Sequence, residues 1–427
     1  MKIWSKYNTL FKREGIYLFY NSLSNSFVEL SQDYYDILSI YKSGDVVNLK
    51  YKELESYLIR MKAVVEDDDY EIRRIKFINS ARRFSQNTLT LTINPTFACN
   101  FACPYCFEEN HPTTRMSDET EDSIIKFIKG YNPKNISVTW FGGEPLLEFD
   151  RIKTLTKKLQ DLNVSYHASI ITNGYLLSKE KVHEFEKLSI RKVQVTLDGV
   201  KENHDCRRFL KGGKPTFDII YNNLVYIGEN LPTLEVGVRV NIDKDNSDTF
   251  IDVFNLLGTK YPNIKVIPAF VDDVNNDGHL PCVMNIDEKF SYLRNLFRKY
   301  NLEFNNFYPS YLRMECAVRN PMSMVIGPDG ELYKCWNDVA NPKKVYGDIY
   351  GNISNEKILI DYLTKADPFE NHKCNQCILL PVCSGGCPYA RIIDLDKHSS
   401  KACPLNVTNL DDYLWEHYLH KAHINLK

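Results

Sequence analysis

The sequence predicts an α/β protein, and three observations support that prediction. Between residues 86 and 310, apolar strand-like runs alternate with amphipathic segments, which indicates a parallel sheet covered by helices. Residues 1–85 have the pattern of a smaller α+β module. After residue 310 the alternation stops, and seven of the twelve cysteines follow. The predicted domains are therefore a module at 1–85, a strand–helix domain at 86–310, a cysteine-rich domain at 311–405 and a closing helix at 406–427.

The N-terminal module is predicted from short local signals. Residues 16–20 and 26–30 have the pattern of a hairpin around a polar turn. Ser31 can cap a helix that runs to Tyr41, and residues 51–65 have the spacing of a second helix. Such a module could bind a peptide by adding it as a strand at the hairpin edge, or it could be a packing appendage. A basic, solvated linker is predicted from Arg73, Arg74, Lys76, Arg82 and Arg83.

Composition and charge indicate an ordinary globular protein. Hydrophobic residues make up 43% of the chain and charged residues 25%, and the net charge of −2 gives no case for nucleic acid or an anionic membrane as partner. No run of about 18 apolar residues occurs and the start lacks a signal-peptide core, so we expect a cytoplasmic protein. Twelve cysteines in such a chain favour metal ligands over disulfides, and only Cys206 and Cys282 lie outside two clusters.

Six strand–helix units make up the central domain. We expect strands at 88–94, 136–141, 167–172, 192–197, 234–241 and 264–269, with helices near 117–129, 149–161, 178–188, 216–230 and 247–260 and a further helix at 287–300. Polar motifs follow five of these strands, at the carboxyl ends where (β/α) barrels place their chemistry. In order they are the loop Cys99–Cys106, Gly142-Gly143-Glu144-Pro145, Thr172-Asn173-Gly174, Leu197-Asp198-Gly199 and Asn241-Ile242-Asp243. The predicted fold is therefore α/β, a partial (β/α)6 TIM barrel.

The loop after the first strand carries the strongest chemical signal. Cys99, Cys103 and Cys106 have the spacing C-x3-C-x2-C, and three thiolates can hold three irons of a [4Fe–4S] cluster while the fourth stays open to a ligand. A structural zinc site is the alternative, but it usually takes four protein ligands. Gly142 and Gly143 can expose backbone groups to a ligand without a Cβ in the way.

With Tyr105 before its third cysteine, this loop resembles that of the radical S-adenosyl-L-methionine (SAM) enzymes. The resemblance implies that Cys99, Cys103 and Cys106 hold the catalytic cluster, which donates an electron to SAM and yields methionine and a 5′-deoxyadenosyl radical. An electron donor such as flavodoxin or ferredoxin would be a partner. The implied SAM contacts are Gly142, Gly143 and Glu144 at the amino group, Thr196 and Asp198 near the ribose or methionyl end, Tyr105 near the adenine, and Arg208 at the SAM carboxylate or the substrate.

The later cysteines resemble the seven-cysteine SPASM extension of peptide-modifying radical SAM enzymes, which holds two auxiliary Fe–S clusters. By that pattern one cluster, taken as [4Fe–4S], would be fully ligated by Cys374, Cys377, Cys383 and Cys403. The other would be held by Cys316, Cys335 and Cys387. Its fourth iron would be open or bound from elsewhere, with Cys282 as a candidate, because residues 308–315 contain no cysteine. Two zinc sites of the C-x2-C type are the alternative.

These resemblances predict an oxidoreductase that modifies a ribosomally made precursor peptide through a thioether or carbon–carbon crosslink. The auxiliary clusters would accept the second electron of the oxidation. The alternative within the family is an anaerobic sulfatase-maturating enzyme, which oxidises a Cys or Ser to formylglycine. That family carries an aspartate directly after the cysteine matching Cys335, whereas Trp336 follows here and Asp338 comes two positions later. An alternative of another class is a non-enzymatic, metal-stabilised binding module.

Overall fold

The structure is a computed structural model that describes residues 2–43, 52–106, 108, 112–272, 282–302, 316–393, 403 and 409–425. Its strands are β1 (Ile3–Trp4), β2 (Asn8–Arg13), β3 (Ile16–Asn21), β4 (Ser26–Leu30), β5 (Val64–Val65), β6 (Thr88–Ile93), β7 (Asn135–Trp140), β8 (Ser165–Thr172), β9 (Ile190–Thr196), β10 (Glu235–Ile242), β11 (Ile264–Phe270), β12 (Ser323–Ile326), β13 (Glu331–Tyr333) and β14 (Gly347–Asp348). Its α-helices are α1 (Gln32–Lys42), α2 (Lys52–Arg60), α3 (Asp68–Arg83), α4 (Asp118–Tyr131), α5 (Phe149–Gln160), α6 (Lys179–Glu184), α7 (Lys201–Arg207), α8 (Phe217–Asn230), α9 (Phe250–Val253), α10 (Ile286–Tyr300), α11 (Glu356–Ile360), α12 (His372–Asn375), α13 (Leu380–Cys383), α14 (Pro388–Ile393) and α15 (Leu410–Asn425).

The chain divides into two compact units. The first comprises Met1–Phe84, Ile286–Asn320 and Tyr362–Lys427, and the second comprises Ser85–Asn285 and Pro321–Asp361. The first unit thus gathers segments from the start, the middle and the end of the chain. The functional domain boundaries drawn from the sequence at 85, 310 and 405 stay predictions.

The second unit contains a nine-stranded sheet in the order β11-β10-β9-β8-β7-β6-β12-β13-β14. Strands β6 to β11 follow one another in chain order, and each pairs in parallel with its neighbour. This confirms the predicted α/β class and the partial six-unit barrel. The sequence pattern missed β12, which pairs in parallel with β6 and continues into an antiparallel pairing with β13.

The barrel strands form because their residues alternate in character. In β6, Leu89, Leu91 and Ile93 are fully buried, while the threonines between them are half-buried. Strand β7 repeats this alternation. Ser117 caps α4 as expected, since its hydroxyl accepts a hydrogen bond from the Thr120 amide at 3.0 Å. The helix expected at 247–260 is not uniform, because a 3-10 turn precedes α9 and a π-helical turn, Phe254–Gly258, follows it.

The first unit contains the predicted hairpin of β3 and β4, joined by β2 in the sheet order β2-β3-β4. The second helix of the module is shorter than the predicted 51–65. It ends at Arg60, and Lys62 has φ +61°, a left-handed conformation that stops a helix. Val64 and Val65 then form β5, which pairs with β1.

Both faces of the sheet β2-β3-β4 are covered. Leu10 and Phe19 belong to an apolar cluster with Leu38 of α1 and Leu58 of α2. Phe11 and Leu18, from the alternate positions, belong to a cluster with residues of the cysteine-rich segment and of α15, namely Leu379, Val382, Leu410, Leu414 and Trp415. The N-terminal sheet is therefore the centre of a layered core and does not stand apart from the rest of its unit.

The predicted basic linker is wrong as a linker, because these residues lie on α3; Arg73, Arg74, Lys76 and Arg82 are exposed as expected, but Arg83 is buried. Asp67 caps this helix, and Ile75 and Arg83 are buried on one face of it. The Arg83 guanidinium forms an ion pair with Asp367 at 2.9 Å and donates to the Arg319 carbonyl at 2.8 Å. The run of positive charge concealed an amphipathic helix whose last arginine is structural.

None of the helices among the described residues has the length and apolar character needed to cross a membrane.

Candidate active site

The three-cysteine loop begins after β6, at the carboxyl edge of the parallel strands. Cys99, Cys103 and Cys106 are half-buried, and the Phe101 amide donates to Cys99 Sγ at 3.4 Å. Burial raises the pKa of Cys99 and of Cys106 to about 12, and it also raises the pKa of Cys103. Because only a bound cation would keep three such thiols deprotonated together, the donor set fits a metal cluster.

The two glycines after β7 allow that loop to lie against the start of the cysteine loop. Gly142 has φ +114°, and a Cβ on it would lie 2.2 Å from the Thr96 carbonyl oxygen. A Cβ on Gly143 would lie 2.3 Å from the Phe97 carbonyl oxygen. The next amide, that of Glu144, donates to the Ala98 carbonyl at 2.9 Å. The observed role of the glycines is close backbone packing, and their contact with SAM stays a prediction.

Glu144 joins the ends of three strands. Its carboxylate is fully buried and accepts hydrogen bonds from the Thr172 hydroxyl at 2.7 Å and the Asn173 amide at 2.8 Å. Asn173 in turn donates through Nδ2 to Asn100 Oδ1, within the cysteine loop, at 2.7 Å. Burial raises the pKa of Glu144 although these donors oppose the shift. The structure thus places Glu144 beneath the cysteine loop as an anchor, and its predicted contact with the SAM amine remains untested.

Tyr105, Asp198 and Arg208, three of the residues predicted to contact SAM, lie together in the structure. The Tyr105 hydroxyl donates to Asp198 Oδ2 and accepts from Arg208 Nη1 at 2.7 Å. Asp198 is completely buried at the end of β9, two residues after the buried Thr196. Burial disfavours the charged form of Arg208, but Tyr105, Cys103 and Asp198 outweigh it and raise the pKa of this guanidinium.

Arg207 and Asp243 belong to the same network, and the sequence reasoning did not assign them a role. Arg207 Nη2 pairs with Asp243 Oδ2 at 2.7 Å, its Nε lies 3.4 Å from Asp198 Oδ2, and its guanidinium lies over the Tyr105 ring at 5.2 Å. The available signals were the doubled Arg207-Arg208 and the aspartate that follows β10.

Two buried polar atoms of this network make no hydrogen bond within the part of the chain that the structure describes. They are Asp198 Oδ1, an acceptor, and Arg208 Nε, a donor. Buried polar atoms are normally paired, so these two are positioned to meet a ligand that offers both hydroxyl donors and a carboxylate. SAM offers both in its ribose and its methionyl group, and the residues present therefore fit it.

Four of the later cysteines also come together, all within the first unit. Burial is the main cause that raises the pKa of Cys383 to about 11, and the charges of the other three, Cys374, Cys377 and Cys403, add to it. The Leu379 amide donates to the Cys377 sulfur, and Arg391 Nη2 donates to Cys374 Sγ at 2.9 Å. Hydrogen bonds to sulfur are typical of Fe–S sites. This is the set predicted to ligate one auxiliary cluster fully.

The structure defines the surroundings of the other three cysteines less fully. Cys316 and Cys387 are exposed residues of the first unit, and Cys335 is a buried residue of the second. Their joint ligation of a cluster stays a prediction, and residues 308–315 lie outside the described residues. Cys282, the candidate additional ligand, lies beside Asp243 and Asp245, with the three potential ligand atoms within 4.8 Å of one another.

Comparison with known proteins places this site in a family. Residues 93–257 match the model of the radical SAM superfamily. A cysteine-type anaerobic sulfatase-maturating enzyme of Clostridium novyi is 25% identical over 340 residues, which cover 70% of this chain and 88% of the relative. Two solved structures share the fold. One is anSMEcpe with bound AdoMet and a Cp18Cys peptide, with a TM-score of 0.60 and 21% identity over 80% of this chain and 100% of that chain. The other is Streptococcus suis SuiB bound to the precursor peptide SuiA, with a TM-score of 0.54 and 15% identity over 95% of this chain and 99% of that chain.

The family match covers the cysteine loop, the glycine pair and the strand ends that surround them. It accounts for a [4Fe–4S] cluster and SAM as cofactors, and the cysteine-rich C-terminal region fits auxiliary clusters. It also removes the non-enzymatic alternative, because the relatives are enzymes. Residues 93–257 thus form a radical SAM domain, and the similarities together support a radical SAM enzyme of the SPASM, peptide-modifying type.

Proposed function

We propose that this enzyme oxidatively modifies a ribosomally made precursor peptide by forming a thioether or carbon–carbon crosslink. The N-terminal module carries the proposal. Within the described residues its sheet ends at β4, which pairs with β3 on one side only. An edge strand offers free amide and carbonyl groups to an extended peptide. The fold-level likeness to SuiB, whose solved structure contains a precursor peptide, extends over 95% of this chain and supports the proposal.

In this proposal the residues at the barrel edge hold and orient the cofactors. Cys99, Cys103 and Cys106 would bind three irons and leave one for SAM. Asp198 Oδ1 would accept from the ligand's hydroxyl groups, and Arg208 Nε would donate to its carboxylate. When bound, the cluster and SAM supply a carbon-centred radical that removes a hydrogen atom from the substrate.

The later cysteines would serve the second half of the oxidation. A cluster fully ligated by Cys374, Cys377, Cys383 and Cys403 has no free iron, so electron transfer is its remaining role. The set of Cys316, Cys335 and Cys387 is one thiolate short. An open iron there would bind a substrate thiolate and would favour thioether formation over a carbon–carbon bond.

One observation favours the sulfatase-maturating alternative. Asp338 is buried in the turn after Cys335, and its amide donates to the Cys335 carbonyl at 3.0 Å. A buried carboxylate three residues after this cysteine could serve as the base that the alternative requires. The relative from Clostridium novyi, matched over 88% of its length, supports the same alternative.

Anaerobic reconstitution followed by peptide analysis tests both functions. The protein with SAM and a strong reductant should release 5′-deoxyadenosine, and a chain that takes zinc and leaves SAM intact would overturn the assignment. Candidate peptides come from short reading frames beside the gene, and the probe is such a peptide co-expressed with the enzyme. A crosslinked product lacks two hydrogens and carries no aldehyde, whereas formylglycine carries an aldehyde that reacts with a hydrazide. A hydrazide-reactive product would therefore replace the crosslink proposal with the alternative.

A further inference from the structure

Tyr7 is a buried tyrosine whose hydroxyl is left unbonded. The side chain is completely inaccessible to solvent. Its backbone is fully engaged, because the Tyr7 amide donates to Ser5 Oγ at 3.2 Å and its carbonyl accepts from the Ser22 amide at 3.0 Å. The hydroxyl makes no hydrogen bond to any residue that the structure describes. A buried hydroxyl without a partner is unfavourable, so a hydrogen-bond acceptor other than the described residues is expected.

The surroundings of Tyr7 indicate where that partner lies. Tyr7 forms one apolar cluster with Ile75 and Leu380, and Cys374 packs against this cluster. Burial is the main cause that raises the pKa of Tyr7, followed by the charges of Asp68, Glu71 and Cys377 in that order. Tyr7 thus lies beside two of the four cysteines that are proposed to hold the fully ligated auxiliary cluster, and all of these residues belong to one compact unit.

Neighbouring side chains fix Tyr7 against the same cysteine segment. The Lys6 ammonium lies 5.5 Å from the centre of the Tyr7 ring and donates to the Asn375 carbonyl, between Cys374 and Cys377, at 3.2 Å. The Ser22 hydroxyl donates to the Ile378 carbonyl. These contacts join the start of the chain to residues 375–380. The Tyr7 hydroxyl, Glu71 Oε2 and Asn375 Oδ1 are buried atoms of this neighbourhood that make no hydrogen bond to a described residue, and of the three only the hydroxyl is a donor.

We propose that Tyr7 donates a hydrogen bond to a sulfur atom of the auxiliary cluster held by Cys374, Cys377, Cys383 and Cys403, so that the N-terminal module sets the reduction potential of that cluster. This inference rests on the cluster assignment made under the proposed function. A donor to cluster sulfur stabilises the more negative, reduced state and raises the potential. Tyr7 is a positioning residue in this scheme, since it acts on the cluster and not on the substrate.

The experiment uses the full chain with Cys99→Ala, Cys103→Ala and Cys106→Ala, so that only auxiliary clusters remain. Tyr7→Phe removes the hydroxyl and keeps the ring. The matched control is Tyr20→Phe, because Tyr20 is equally buried in the same unit but its hydroxyl already donates to Asn25 Oδ1 at 3.1 Å. Midpoint potentials are measured by redox titration followed by electron paramagnetic resonance, and Fe–S stretching bands by resonance Raman in H2O and D2O.

The expected result is a more negative potential for one auxiliary cluster in Tyr7→Phe, a smaller solvent-isotope shift of its Fe–S bands, and no change in Tyr20→Phe. If both variants retain the parent potentials and isotope shifts, the inference about Tyr7 is overturned. If the parent protein itself holds no auxiliary iron, the cluster assignment fails first. Iron and sulfide analysis of the parent separates these two failures. Should Tyr7→Phe fail to fold, a fluorinated tyrosine at position 7, a stronger donor, should move the potential in the positive direction, and an unchanged potential would again contradict the inference.

Discussion

The two groups of cysteines are surrounded by different chemistry. Around Cys99, Cys103 and Cys106 lie charged groups, among them Asp198 and Arg208, each with an unbonded atom. Around Cys374, Cys377 and Cys383 lie backbone amides, the Arg391 guanidinium, which donates to Cys374 Sγ, and a largely apolar core drawn from the N-terminal sheet, α13 and α15. A cluster that must bind a polar cofactor needs unbonded donors and acceptors close to its open iron. A cluster that only carries electrons needs hydrogen bonds to its sulfurs and surroundings that exclude water. The two groups of cysteines differ in this respect.

The largest test of this comparison is to remove one site and keep the other. Cys99→Ala, Cys103→Ala and Cys106→Ala together should abolish formation of 5′-deoxyadenosine, because the irons that bind SAM lose their ligands. The Fe–S absorbance of the auxiliary clusters should persist, together with roughly two clusters' worth of iron at the later cysteines. Product assay by chromatography and iron analysis measure both. Residual SAM cleavage in the triple variant would show that the chemistry resides elsewhere.

A second test addresses how the first cysteine loop is held. Gly143→Ala would place a Cβ 2.3 Å from the Phe97 carbonyl oxygen, and that oxygen belongs to backbone that cannot rotate away. We expect the loop to shift and about four irons per chain to be lost, while the later cysteines keep theirs. Gly130→Ala in α4 is the control, since nothing lies within 4 Å of its Cβ, and it should stabilise the helix by roughly 0.5–1 kcal/mol. Equal iron content in both variants would refute the close-packing role.

A third test addresses how the second region is held. Arg83→Ala removes a buried guanidinium, and with it the hydrogen bonds to Asp367 Oδ2 and to the Arg319 carbonyl. The expected loss is about 3–5 kcal/mol in the free energy of unfolding of the first unit. Arg82→Ala is the matched control, because Arg82 is the exposed neighbour on the same helix. Thermal and denaturant unfolding measure the difference, and equal stabilities would mean that the ion pair is not structural.

The smallest expected effect sharpens the assignment of the polar network. Asp198→Asn removes the charge that accepts from Tyr105 and faces Arg207. A charged hydrogen bond contributes about 1.5–3 kcal/mol, so the dissociation constant of SAM should rise roughly tenfold to a hundredfold. The control is Asp161→Asn at the exposed end of α5. SAM affinity by equilibrium dialysis checks this, and an unchanged constant would place SAM away from Asp198.

The barrel and the position of its site could be predicted from the sequence because both depend on local patterns. A period of two places Leu89, Leu91 and Ile93 on one face of a strand, and parallel strands bring their following loops to one edge. Glu144 and Asp198 therefore appear just after the ends of β7 and β9, as expected, whereas Arg208 follows α7. Their bonding partners could not be predicted, since which of two adjacent arginines meets Asp243 depends on side-chain packing across loops.

The first unit was harder to predict because its contacts join distant parts of the chain. Thr9 donates to Asp411, and Arg13 pairs with Asp412 at 2.6 Å, across about four hundred residues of sequence. The short strand β2 and the buried face of α3 can be predicted only when their distant partners in the fold are known. Local charge at Arg83 predicted solvent exposure, and tertiary packing overrode it.

The double covering of the sheet β2-β3-β4 has a practical consequence for anyone who shortens this protein. A chain that starts after residue 85 would leave Leu379, Val382 and Trp415 without their cover and would expose Cys377 and Cys383, which pack against the same apolar cluster, to solvent. Loss of turnover in such a truncated chain would therefore indicate a disrupted core. It would not show that the chain had failed to bind a peptide substrate. Single substitutions along the outer edge of β4 are a more direct test of whether that edge binds a peptide.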